Sequence, residues 1–383
     1  MLEQEKPDNE KVIGFLHLCL SSRWDTLALN NARALSEQGG LDWDALLQLS
    51  DRDHLAPLLY DVVRGKALVP ERIEQRLEAA YFRTASRNTL LFNELESVLN
   101  SFKITNQPVI ILKGAALAEA LYENIALRPM TDLDLLVHPG NAQDAMRALR
   151  SLGYASLDSD GEIENRLGYQ SEIMLVKPGT QATTIDLHWG LLDSPYYHDT
   201  LALEWFWETA TPIQIGKAAA LTLGREAQVL HLCAHIFLEQ AEQALWMHDV
   251  AELIARGSHD LNWDEILDRA QQHDLILPLQ SVLRRVIAQW HVAVPDAALS
   301  RLNGLRASAA EIRFERWLGS NGRPMAGLFI AAMTALPDWQ SRLRHLWSNL
   351  FPSSAYMLQR YQISNRFLVP FYYPYRWMLA LKP

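Results

Sequence analysis

Residues 128–137 read RPMTDLDLLV, placing Asp132 and Asp134 two apart inside an otherwise apolar run. In an extended strand alternate side chains share a face, so both carboxylates project together while Leu133, Leu135 and Val137 project the other way. Two like charges side by side are unfavourable unless one protonates, water solvates both, or a cation lies between them. A third acid follows in TTIDLHW, where Asp186 shares a face with Thr184 and His188 while Ile185, Leu187 and Trp189 take the opposite one. Three carboxylates borne by neighbouring strands make a hard-oxygen site suited to Mg²⁺, an ion that fills its remaining positions with water and phosphate oxygens. Two such ions can hold a nucleoside triphosphate and an attacking hydroxyl in line.

The elements that must position these acids can be read from the periodicity around them. From about residue 10 to 100 apolar residues recur at three and four, as in VIGFLHLCL and RNTLLFNELESVLNSF, which predicts a helical bundle. The character changes at Gln107. PVIIL is a short β-branched run, KG breaks it, and AALAEALYE returns to helical composition: strand, turn, helix. The Asp132–Asp134 strand is closed by HPGN, whose Asn141 is placed to cap a helix running to Gly153. SEIMLVKPGTQATTIDLHWGL reads as two strands joined at Pro178 and Gly179. Strands and helices are therefore expected to mix only between about 105 and 192, with a second helical region, opened by REAQVLHLCAHIFLEQ, running to about 345. The expected organisation is α+β: a helical region over 1–104, a small mixed-sheet core over 105–200, a helical domain over 201–350 and a tail over 351–383.

Composition narrows the function classes. The chain has 383 residues, 49% of them hydrophobic, enough to fill more than one core. Its formal charge of −10 supplies no global basic field for sequence-independent nucleic-acid binding. Two cysteines, Cys19 and Cys233, cannot form a disulfide framework, and a reducing cytoplasm is the expected setting. The start, MLEQEKPDNEK, has no apolar core of a secretory signal, and no stretch is long and apolar enough to be read as a spanning helix. The last 33 residues differ: they hold Arg360, Arg366, Arg376 and Lys382, nine aromatics and no acid. An interfacial membrane patch has this composition. Pro352, Pro370 and Pro374 interrupt any long amphipathic helix there, and the favoured expectation is a tail whose aromatics pack back on the body.

The order LKGAAL, RPMTDLDLLV, TIDLHWGL resembles the nucleotidyltransferase fold of the DNA polymerase beta superfamily, and within it a bacterial family of uncharacterised nucleotidyltransferases. The superfamily likeness covers about 107–190; HLCAH, HDVAELI and the aromatic tail extend the family likeness. The resemblance implies an Mg²⁺-dependent enzyme, with Mn²⁺ as a substitute, that moves a nucleoside monophosphate from a triphosphate such as ATP onto a hydroxyl of a protein, small molecule or polymer. It implies that Asp132, Asp134 and Asp186 ligate the metals, that Asp186 favours deprotonation of the acceptor, and that Lys113, Gly114, Ala115 and Arg128 hold phosphate. His188, His231, His235 and Asp249 are implied as neighbours of these groups. One departure stands out: superfamily members carry Gly-Ser or Gly-Gly in the turn, whereas Gly114 is followed here by Ala115, which has no hydroxyl to offer a phosphate. That duty falls to backbone N–H groups at the helix start and to Lys113. Ala115 is also the feature that favours the alternative, a nucleotide-binding or scaffold protein without turnover. A third class, modification of transfer RNA ends, is disfavoured by the acidic charge.

Each residue has a plainer reading. The aspartate pair can be a solvated or charge-blunted edge strand. Asp186 can pair with Arg128 or Lys113, and His188 can be a satisfied core histidine. Lys113 can be an exposed turn residue and Arg128 a surface charge. His231 and His235, four apart on a helix, have the spacing of two metal ligands, but HLCAH lacks the glutamate of a zinc protease, and helix packing or nucleotide contact is the favoured reading.

Overall fold

The computed structural model describes residues 5–156, 170–179, 182–241, 243–257, 260–318, 339–352, 354–361, 363 and 365–380. Four helices open it: α1 (Glu5–Ser21), α2 (Thr26–Glu37), α3 (Trp43–Arg52) and α4 (Ala56–Val63). Asp25 and Asp42 cap α2 and α3 by accepting from backbone N–H groups of the first turn. The 34-residue α5 (Glu71–Ile104) then links two cores. Its first half buries Ile73 and Leu77 among the opening helices. Its second half buries Leu91, Leu95, Val98 and Phe102 under the sheet. Spacing of three and four keeps both sets on the inner side of one continuous helix.

The sheet has six strands. They are β1 (Ile110–Leu112), β2 (Asp132–Leu136), β3 (Glu172–Lys177), β4 (Thr183–His188), β5 (Thr211–Ile215) and β6 (Ala218–Thr222), in the order β3-β4-β2-β1-β6-β5. The β2–β4 and β1–β6 pairs are parallel and the others antiparallel. Helices α6 (Lys113–Ala120) and α7 (Ala142–Ser151) follow β1 and β2. One face of the sheet, built from Ile111, Leu133, Leu135, Ile185 and Leu187, is sealed by α5 and α7 in a dry core. Alternation then forces Asp132, Asp134, Asp186 and His188 onto the other face.

Three expectations about the framework are corrected. Strands β5 and β6 lie beyond residue 200, where only helices are expected; AAALT has helical composition, and what makes it a strand is the parallel edge offered by β1. Ile213 and Ile215 alternate inward, and Gly216, at φ +57°, turns the hairpin. Asn141 makes no capping bond to α7, because Pro139–Asn141 forms a 3₁₀ turn that leads into the helix. Among the described residues the buried part of the tail is separate from the main cores: Met357, Ile363 and Val369 form a small cluster of their own with Leu358, Tyr361, Tyr372 and Tyr373. Lys382 lies outside the described residues.

The opening helices and the second helical region share a core. After two short helices, α8 (Pro195–Thr200) and α9 (Glu204–Glu208), come α10 (Arg225–Glu239), α11 (Ala244–Arg256), α12 (Trp263–Gln272), α13 (Ile276–Trp290), α14 (Asp296–Gly304) and α15 (Ala309–Leu318). A single buried cluster runs from Leu16 and Leu20 of α1 to Val250 of α11 and Trp290 of α13. The His17 ring lies 4.5 Å from that of Trp290 across the join. The sheet's polar face is thereby held against α10 and α11. No helix among the described residues is long and apolar enough to cross a membrane.

Candidate active site

The strand register brings the acids together. Asp134 of β2 and Asp186 of β4 are direct partners on parallel strands, and Asp132, opposite Thr184, lies two residues along on the same face. All three line one cavity of about 460 Å³, a size suited to a small-molecule ligand. Lys113, Gly114, Arg128, Glu172, His188, His235 and Asp249 line it too. His231 sits deeper, fully buried in α10. Ala115 is buried under the start of α6 and shows the cavity no side chain.

Lys113 is not an exposed turn residue. It opens α6 with φ +43°, and its Nζ lies 2.8 Å from Asp134 Oδ1. The left-handed backbone turns the lysine back over the end of β1 instead of out to water. Gly114 is required by close approach: a Cβ there would stand 3.1 Å from Arg128 Nη1 and 3.3 Å from Met130 Cβ. Glycine thus lets the 128–130 loop pack on the first turn of α6 and line the cavity beside it.

Arg128 is not a surface charge, and it reaches the cavity already paired. It is buried, and its Nε and Nη2 donate to Asp249 Oδ2 at 3.1 and 2.9 Å. Tyr122 donates to Asp249 Oδ1 at 2.7 Å, and Asn88 of α5 donates to the Arg128 carbonyl at 2.8 Å. One arginine therefore ties α5, the loop before β2, and α11. Asp249 orders the wall of the cavity through Arg128.

The electrostatics set the acids apart from one another. Burial works to raise the Asp134 pKa, but the Lys113 ammonium and His188 hold its carboxyl well below the usual carboxylate range. Burial, then the charges of Asp134 and Glu172, push Asp186 up to about 7. Asp132 is also raised, by burial and then by Asp134. His188 is no neutral core histidine. Its Nε2 lies 3.1 Å from Asp134 and its Nδ1 2.9 Å from Glu172, and these carboxylates overcome burial to raise it to about 9. His235 is driven the other way, to about 3, by burial and then by Lys113. His231 falls well below its ordinary value for the same reasons.

Four carboxylates, Asp132, Asp134, Glu172 and Asp186, thus face two cations, Lys113 and protonated His188. The residual negative charge and the all-oxygen donor set of Asp132, Asp134 and Asp186 fit a hard divalent cation. Among the described residues no three His, Cys, Asp or Glu side chains are already gathered closely enough to enclose an ion. Lys113 stands on the central carboxylate instead, where a positive charge is favoured. The same absence applies to His231 and His235, whose rings lie 6.4 Å apart. His235 packs against Trp246 at 4.8 Å, as helix packing requires.

Sequence reasoning missed several residues of this cavity. Glu172, which fixes His188, is an isolated acid at the start of β3, with no pattern to mark it. Arg87, His54, Asp193 and Glu239 also line the cavity. Arg87 projects from α5 and donates to the carbonyls of Met130 and Thr131 at 3.3 and 3.2 Å, immediately before β2. Its place on the solvent side of an amphipathic helix gave it the look of an ordinary surface charge.

The chain is similar to two solved structures. One is the crystal structure of an antigenic nucleotidyltransferase-like protein from Paracoccidioides brasiliensis, at 15% identity and a TM-score of 0.34, covering 58% of this chain and 96% of that one. The other is the solution structure of the antibiotic-resistance factor ANT(2'')-Ia, at 13% identity and a TM-score of 0.34, covering 53% of this chain and 97% of that one. No curated protein sequence matches the chain. A family model described as uncharacterised nucleotidyltransferase matches residues 39–290, a stretch that takes in the second half of the opening helices, the whole sheet, α10 and α11. The chain belongs to this family of uncharacterised nucleotidyltransferases.

Proposed function

We propose that the chain transfers a nucleoside monophosphate from a nucleoside triphosphate to a hydroxyl acceptor with release of pyrophosphate, and that it requires Mg²⁺, or Mn²⁺ in its place. The observation that carries this reading is the register of β2 against β4. It sets Asp134 beside Asp186, with Asp132 on the same face, in an open cavity whose acids outnumber its cations.

Asp132, Asp134 and Asp186 would hold the divalent cation, which when bound screens phosphate charge and favours the attacking alkoxide. Asp186, beside the cation, would favour deprotonation of the acceptor hydroxyl. Lys113 leaves Asp134 for the triphosphate, and the first N–H groups of α6 face the same charge. Arg128 is held by Asp249, so Arg87, whose bonds are to carbonyls, takes the phosphate role expected of Arg128. His188 keeps Asp134 ionised and oriented, and Glu172 holds His188 in turn.

The test is pyrophosphate release from each nucleoside triphosphate with Mg²⁺ and candidate acceptors. Wild-type protein should release it, and the Asp132→Asn, Asp134→Asn double variant should not. Equal release by both would end the assignment. A second reading, a nucleotide binder without turnover, draws support from Ala115 and from the Lys113–Asp134 ion pair. Nucleotide binding by the wild type with no pyrophosphate from any triphosphate would favour it.

A further inference from the structure

Most of the large apolar side chains exposed among the described residues lie in one stretch, 339–379. They fall on two helices, α16 (Trp339–Leu350) and, after α17 (Ser354–Arg360), α18 (Val369–Ala380). On α16 the exposed residues are Trp339, Leu343, Trp347 and Leu350, at steps of four, four and three. That is the stripe a helix ordinarily buries. On α18 and the turn before it, Leu368, Phe371, Tyr375 and Met378 repeat the pattern, with Phe371 75% exposed and Phe367 86% exposed.

These are not side chains lacking room to pack inward. Val369, Tyr372 and Tyr373 of the same helix already fill the small cluster with Met357 and Ile363. Phe351 packs on Tyr373 and Trp377. The cluster holds α18 by one set of side chains and leaves its other apolar stripe in water, as the stripe of α16 also is, a costly arrangement in a free monomer.

The charge of the segment says what covers the stripe. From Trp339 to the end the sequence has Arg342, Arg344, Arg360, Arg366, Arg376 and Lys382 and no acidic residue, in a chain whose net charge is −10. A second copy of the segment would bring like charges together. Each helix has 12 residues, about 18 Å by helical rise, too short for a hydrocarbon core of about 30 Å. Trp, Tyr and Phe beside Arg are the composition of a helix lying in the headgroup region.

We propose that residues 339–380 form a peripheral membrane-binding surface that lays the exposed stripes of α16 and α18 into the interface of a bilayer rich in anionic phospholipid. This stands apart from the catalytic reading and uses none of its residues.

The experiment is flotation of the full chain with vesicles of phosphatidylcholine containing phosphatidylglycerol, against vesicles of phosphatidylcholine alone. Wild-type protein should float with the anionic vesicles and release at high salt. Trp339→Asp with Phe371→Asp should weaken partition by about tenfold or more while the circular-dichroism melt stays unchanged, because both side chains are exposed. Failure to float with anionic vesicles would overturn the proposal, as would equal flotation of wild type and variant. A concentration-dependent dimer that the same substitutions abolish, or single-stranded RNA binding in place of vesicle binding, would overturn it equally.

Discussion

Two clusters of charge lie within one cavity wall and behave oppositely. Around Asp249 every charge is answered: Arg128 forks onto it, Tyr122 donates to it, and all three are buried. Around Asp134 the acids exceed the cations, Asp132 and Asp186 are only half-buried, and both are pushed up by burial and mutual repulsion. A balanced, closed cluster holds elements together. An unbalanced cluster that opens on a cavity favours added positive charge, and in this chain Lys113 stands on its central carboxylate.

The contrast can be broken by substitution. Asp132→Asn should lower turnover by about a thousandfold, the scale of losing a principal electrostatic contact in a transition state. It should leave the melting temperature equal or higher, since it relieves repulsion by Asp134; a fall in stability with activity retained would reverse the assignment. Asp249→Ala should do the opposite first. Leaving Arg128 buried without a partner costs about 3–5 kcal/mol, read as a shifted urea midpoint. Asp249→Asn, which keeps an acceptor for Tyr122, should cost less.

Protonation sharpens the comparison. Asp186 has a folded-state pKa raised to about 7 from an ordinary 3.8, so between those values the folded protein holds a proton that the unfolded chain has released. Without divalent cation, stability should fall as pH rises from about 4 to 7, and Asp186→Asn should flatten that slope in melts run with chelator. Asp134 is depressed, so its stabilisation is present above its ordinary 3.8 and is lost only in stronger acid. Cation affinity should rise about tenfold per pH unit below 7 as Asp186 gives up its proton. The smallest effect belongs to Arg87→Gln. It should weaken triphosphate binding by about five- to tenfold and monophosphate binding hardly at all, in a titration with a fluorescent nucleotide.

The parts of this account legible in the sequence are those written in local periodicity. Alternation in DLDLL and TTIDLH put three acids on one face each, and the strand–glycine–helix order placed Lys113 beside them. What alternation cannot say is which strands are neighbours; the pairing of Asp134 with Asp186 spans 52 residues and is fixed by the parallel β2–β4 ladder. The role of Arg128 was hidden because its partner lies 121 residues away in α11. Strand β6, AAALT, was hidden by alanine, whose helix preference yields to an available sheet edge, and β5, TPIQI, by Pro212, which argues against a strand. The tail's composition left two readings open, an interfacial patch and the favoured one of aromatics packed back on the body. The prolines argued against a long helix, and the chain answers with short ones that keep their stripes exposed.

The most direct test of the central claim is Mn²⁺ binding measured by electron paramagnetic resonance in the presence of nucleoside triphosphate. Wild-type protein should remove Mn²⁺ from the free-ion signal as a ternary complex, with affinity falling below pH 7. The Asp132→Asn, Asp186→Asn double variant should leave the signal of the Mn²⁺–nucleotide mixture unchanged. Binding by the double variant as tight as by the wild type would contradict the account, because the divalent ion would then be held by groups other than the acids that β2 and β4 bring together.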